Sequence, residues 1–186
     1  MRLFTAVPLN FNVQDALSKV VGNIPTPSGA VKWVEPLQAH LTLLFLDEQK
    51  EERLPEILQN LREAAKGMIP FEVRLGGVGA FPNLKKPRVL FIPVTEGGEK
   101  LTLLNDRITQ ALGPLGIPPS EKGFHAHVTL GRVKTFKDAG EVARAAQTAC
   151  PEHLGKIIAD HFSLFRSELT PKGPVYTVLE RFSFNS

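Results

Sequence analysis

Two short strings carry the residue types for proton-transfer chemistry. His40-Leu41-Thr42-Leu43 and His127-Val128-Thr129-Leu130 repeat one pattern, 87 residues apart. Side chains alternate along an extended strand, so His40 and Thr42 share one face, with Leu41 and Leu43 behind. His127 and Thr129 do the same, with Val128 and Leu130 behind. Phe45 alternates to the rear with Leu41 and Leu43 and is expected in the core. Imidazole titrates near neutral pH, so two of them facing one cleft can take one proton and give another. Phosphodiester hydrolysis is such a reaction: a base deprotonates the attacking water while an acid protonates the leaving alkoxide. The Thr42 and Thr129 hydroxyls can donate to the non-bridging oxygens, and Arg132 can add a charged fork.

Other chemistries compete for these residues. His40, His125 and His127 could form a three-histidine zinc site. Against it, the duplicated pattern supplies one histidine per half, and Gln38 stands where His125 stands in the second half. His125 reads as a polar neighbour of the cleft. A third alternative is a non-catalytic module that binds RNA ends. His153 and His161 have no such companions and read as structural. Lys85, Lys86 and Arg88, and then Lys122, Arg132, Lys134 and Lys137, make a basic mouth suited to an anionic substrate, whereas residues 47–56 hold five acids.

These groups need elements to position them. Strands are expected over 2–8, 31–35, 39–46, 71–75, 88–94, 124–131, 157–167 and 175–184. Helical periodicity appears in Val13, Ala16, Leu17, Val20 and Val21, and in Ile57, Leu58, Leu61, Ala64 and Ala65. It recurs in Leu101, Leu104, Ile108 and Leu112, and an Ala-rich helix is expected over 138–149. The elements pair at offsets in the eighties, the sign of an internal duplication. The expected fold is α+β and bilobal. A duplicated strand-helix-strand-helix-strand unit builds two antiparallel sheets lining a central cleft about a pseudo-two-fold. The first repeat runs over about 1–82 and the second over about 88–168, with a closing strand at 174–184, all in a single domain.

The 186 residues, 42% hydrophobic and 22% charged with a formal net charge of +3, suit one globular domain. No apolar run is long enough to span a bilayer, and the N-terminus lacks a signal-peptide pattern. The single cysteine, Cys150, cannot form an internal disulfide, so a cytoplasmic protein is expected, with a monomer as the default state for its size.

HLTLLFL and HAHVTLGRV resemble the paired motifs of the two-histidine (2H) phosphoesterases, nearest to the RNA 2′,3′-cyclic phosphodiesterases, or 2′–5′ RNA ligases. MRLFTAVPL, FPNLKKPRVLFIPV and SELTPKGPVYTVLERFSF match as well, so the resemblance covers nearly the whole chain. Asp47 departs from it, since the family usually has Gly there. The resemblance implies an enzyme that opens a terminal 2′,3′-cyclic phosphate of RNA to a 2′-phosphate, with no metal and no cofactor. His40 and His127 are then catalytic, and Thr42, Thr129 and Arg132 bind substrate. His127 is assigned as the base activating water and His40 as the acid protonating O3′, although pseudo-symmetry permits either direction. Reverse 2′–5′ ligation is expected as a minor activity.

Overall fold

Asn10 starts the first helix where a polar residue precedes an amphipathic run. Its side-chain oxygen accepts the Val13 N–H at 3.0 Å, satisfying one of the open donors of the first turn. Pro55 occupies the opening turn of the second helix, where its missing N–H costs no helical bond. A computed structural model describes residues 1–135, 137–171 and 173–184. The first half of the chain forms β1 (Arg2–Pro8), α1 (Phe11–Gly22), β2 (Val31–Trp33), β3 (His40–Glu48), α2 (Leu54–Ala65), β4 (Phe71–Leu75) and β5 (Gly79–Phe81). The second half forms β6 (Val89–Glu96), α3 (Gly98–Leu112), β7 (His127–Val133), α4 (Ala139–Ala149), β8 (Gly155–Ala159), β9 (His161–Thr170) and β10 (Gly173–Ser183). The fold is α+β, with the duplicated unit visible as β1-α1-β3-α2-β4 and β6-α3-β7-α4-β8.

The strands make a curled antiparallel sheet in the order β10-β9-β1-β3-β7-β6-β4-β8, with β2 on β7 and β5 on β6. The halves exchange strands. β4, from the first half, pairs with β6, while β9, from the second, pairs with β1. The two sides meet where β3 and β7 pair at Leu41 and Val128. Both residues are fully buried, as are Leu43 and Leu130 on the same rear face. Behind them lie the inner faces of the helices, among them Ile57, Leu61, Leu104 and Ile108. Asn105 on α3 crosses between halves, its side-chain amide donating to the Leu43 carbonyl at 2.8 Å. Buried amides seldom lack partners, and this bond fixes the back of β3.

Two expected strands change form, and one strand was not expected. The segment 124–131 is extended as a ladder strand only from His127. The segment 157–167 is two strands parted at Asp160. β8 joins β4 and β9 joins β1, so the chain changes lobe there, and continuous apolar character hid the break. The Gly-rich stretch after β4 forms the strand Gly79–Phe81, and Gly79 is needed because a Cβ there would stand 2.4 Å from the Phe91 ring. Cys150 is buried, with its thiol directed at the Gly77 carbonyl (3.3 Å). Burial raises its pKa to about 11, so it is a packing residue. Among the described residues no helix is long and apolar enough to cross a membrane.

Candidate active site

Each H-x-T strand carries a β-bulge immediately after its threonine. In the β1–β3 ladder Ala6 faces Thr42 but Thr5 faces Leu44, which leaves Leu43 unpaired. In the β6–β7 ladder Phe91 faces Thr129 but Leu90 faces Gly131, which leaves Leu130 unpaired. An extra residue reverses the alternation beyond it. Leu43 and Leu44 therefore both turn inward, and Phe45 turns to the histidine face, where it is 59% exposed. The expectation that Phe45 packs in the core is corrected: strict period two fails at the bulge. The same device aims Arg132. Alternation counted from His127 would send it to the rear, whereas the bulge at Leu130 leaves it exposed on the front. Phe45 and Arg132 are thus counterparts under the duplication.

The antiparallel register set by Leu41 and Val128 brings Thr129 across from His40 and His127 across from Thr42. The two motifs thereby form one patch with an imidazole at either end. Both rings are tethered in the same way. His40 Nδ1–H donates to the Gln38 carbonyl at 2.7 Å, and His127 Nδ1–H donates to the His125 carbonyl at 2.6 Å. A carbonyl only accepts, so Nδ1 carries the proton in both and Nε2 is the nitrogen left to work. Backbone oxygen does this at both places, which explains why Gln38 and His125 need not match. His125 serves through its carbonyl. Its ring lies 6.4 Å from Phe81, and among the described residues no group of three or more His, Cys, Asp or Glu side chains is set to hold a metal ion.

Aromatic rings clamp both imidazoles. His40 stacks on Phe4 (4.8 Å between centroids, 27° between planes) and meets the Tyr176 ring edge-on at 5.3 Å. His127 meets Phe81 at 5.3 Å and Phe91 at 5.2 Å, both edge-on. Burial in these clamps lowers the pKa of each imidazole from its ordinary value, against an opposing pull from the carbonyl bond. The charges of His125 and Arg132 lower His127 further. Phe4, Tyr176, Phe81 and Phe91 were missed as site residues in the sequence. Phe4 and Phe91 lie on the strands paired to β3 and β7, and Tyr176 and Phe81 on strands one step further out, β10 on β9 and β5 on β6, so only the sheet's registers bring them there.

A groove of ≈ 810 Å³ opens on the His40 side of the patch, with His40, Thr42, Thr129 and Arg132 in its wall and His127 outside it. The wall continues past Phe45 to Arg2, and across to Lys32 and Lys134. Of the basic mouth expected from sequence, Arg132 and Lys134 line this groove, and Lys85, Lys86, Arg88, Lys122 and Lys137 do not. Arg2 and Lys32, unremarked in the sequence, take their place. A second concavity of ≈ 680 Å³ at the N-terminus is lined by Met1 and residues 48–52, including Glu48, Glu51 and Glu52. Its acidic wall does not suit an anion.

The family model described as the 2′-5′ RNA ligase superfamily matches residues 13–169. The chain belongs to this superfamily. Its relatives in the 2′-5′ RNA ligase superfamily include proteins named RNA 2′,3′-cyclic phosphodiesterase. One from Archaeoglobus fulgidus is 41% identical, covering 98% of this chain and 99% of its own. One from Thermus thermophilus is 42% identical, covering 98% and 90%. Among solved structures, a Thermus thermophilus protein superposes with a TM-score of 0.79 at 37% identity, covering 99% of this chain and 98% of its own. Escherichia coli LigT, crystallised with 3′-AMP, superposes at 0.78 with 21% identity, covering 100% and 98%, and shares the superfamily fold.

Proposed function

We propose that this protein hydrolyses the terminal 2′,3′-cyclic phosphate of RNA to a 2′-phosphate, using His40 and His127 as an acid–base pair without a metal. Membership of a phosphoesterase family and relatives named for this activity at about two-fifths identity support the reaction. The observation that carries the mechanism is the pair of H-x-T motifs meeting in one antiparallel register, both rings tethered through Nδ1.

In-line displacement ties the direction to the side on which the nucleoside lies. Water must attack phosphorus opposite the bond that breaks, P–O3′. O3′ belongs to the nucleoside, so the nucleoside lies beside the acid and the water beside the base. The groove lies on His40's side, which supports His40 as acid and His127 as base. His127 Nε2 takes the water proton as the water O–P bond forms. His40 Nε2–H protonates O3′ as P–O3′ breaks, leaving a 3′-hydroxyl and a 2′-phosphate. The Thr42 and Thr129 hydroxyls and the Arg132 guanidinium donate to the non-bridging oxygens, where charge grows. The reverse step, attack of a 5′-hydroxyl on a cyclic end, gives a 2′–5′ linkage as a minor reaction in water.

The test is incubation with an oligonucleotide ending in a 2′,3′-cyclic phosphate, in the presence of chelator, followed by nuclease mapping of the product. A 2′-phosphate at undiminished rate is expected. A 3′-phosphate would reverse the scissile bond, and activity lost to chelator and restored by zinc would overturn the metal-free mechanism.

A further inference from the structure

The groove is longer than a single terminal nucleotide requires. His40 faces Pro8 on β1, whereas Arg2 stands six residues further along that strand, about 20 Å away at the rise of an extended chain. Between them, Phe45 presents an open ring in the groove wall. On the facing wall Lys32 is the register partner of Arg132, and Lys134 follows on the same chain. Arg2, Lys32, Arg132 and Lys134 are exposed, and no ion pair engages any of them among the described residues, while Glu35 and Asp47 are the acids in the wall. The remote cations cannot all reach one phosphate at the H-x-T patch. Spaced cations beside an exposed aromatic ring form a track for a single strand, with phosphates held by charge and a base stacked on the ring.

Resting on the function proposed above, we infer that this groove holds the RNA strand 5′ of the terminal nucleotide, with a base stacked on Phe45 and backbone phosphates near Lys32, Lys134 and Arg2. The substrate class is therefore an RNA end of several nucleotides, not a mononucleoside cyclic phosphate. Because both ring oxygens of the cyclic phosphate stay with the nucleoside, the strand must leave the centre on the leaving-group side, where the groove lies.

The experiment compares kcat/KM for adenosine 2′,3′-cyclic phosphate and for an oligoadenylate tetranucleotide ending in the same group, at 50 and 200 mM salt. The tetranucleotide should be favoured at least tenfold at low salt. Its salt slope should be steeper by about 0.7 for each further phosphate held. In Lys32→Gln/Lys134→Gln the extra slope should shrink, and in Phe45→Ala the tetranucleotide-to-mononucleotide ratio should fall about tenfold. All three side chains are exposed, and the wild-type length comparison stands whether or not the variants fold. Equal kcat/KM and equal slopes for both substrates would overturn the track and leave the phosphodiesterase standing. Turnover of neither would overturn both.

Discussion

At the residue scale, the two imidazoles differ in surroundings but not in tether, and this makes their roles separable. His40→Ala and His127→Ala should each lower kcat by about 10²–10⁴-fold while circular dichroism stays native, the typical contribution of general acid–base catalysis. A substrate with sulfur in place of O3′ distinguishes them, because a thiolate leaves without protonation. His40→Ala should recover to within about tenfold of wild type on that substrate, and His127→Ala should not. Recovery by His127→Ala instead would exchange the roles. The pH dependence follows from burial. The proposed acid–base pair needs one imidazole protonated and one neutral in the free enzyme, and both pKa values are lowered from 6.5. The population with one proton shared by the pair therefore peaks below pH 6.5. As pH rises through neutrality both rings are neutral and the acid is lost, so kcat/KM should decline. A bound phosphate anion favours the imidazolium, so kcat should hold to higher pH than kcat/KM. A kcat/KM maximum well above 7 would contradict the clamps' effect.

At the element scale, the bulges decide which side chains turn to the histidine face. The β7 bulge places Gly131 beneath β2. A Cβ there would stand 2.8 Å from Trp33 Cε3 and 2.8 Å from Val31 Cγ1. Gly131→Ala should therefore push β2 from β7, costing about 1–3 kcal/mol as overpacking does. It should also lower kcat/KM, because Lys32 and Arg132 share that ladder. Thermal denaturation and steady-state kinetics on one preparation check both effects. In β3 a second register shift between Leu3 and Phe4 leaves Asp47 at φ 54°, the left-handed region that glycine occupies freely and aspartate tolerates. The glycine usual in the family has its reason there. Asp47→Val should destabilise by about 1–2 kcal/mol, read from urea unfolding, because a β-branched residue meets the full strain of that conformation.

At the scale of the whole molecule, strand exchange makes the halves interdependent. β1 is covered by β9 and β6 by β4, each from the other half, so neither half closes its own sheet. Fragments 1–87 and 88–186 should each lack cooperative unfolding alone and regain it, with activity, when mixed. Independent folding of either, seen as dispersed amide resonances, would contradict the exchange. The intact chain should unfold in one transition, because Leu41 and Val128 join the two sides at the centre of the core.

The sequence by itself determined the candidate residues for proton transfer and their duplication. His40, Thr42, His127 and Thr129 were legible because histidine and threonine two apart on a strand are local facts, and the repeat of that pattern at one offset shows a shared construction. The helices were legible for the same reason, as periodicity within a single element. Tertiary structure alone decided that Phe45 faces the groove, that Arg132 is aimed forward, that Phe4, Tyr176, Phe81 and Phe91 desolvate the imidazoles, and that Arg2 and Lys32 join the groove. Each depends on which residue of one strand lies opposite which residue of another. A bulge or an exchanged strand changes that register without leaving a mark in the local pattern.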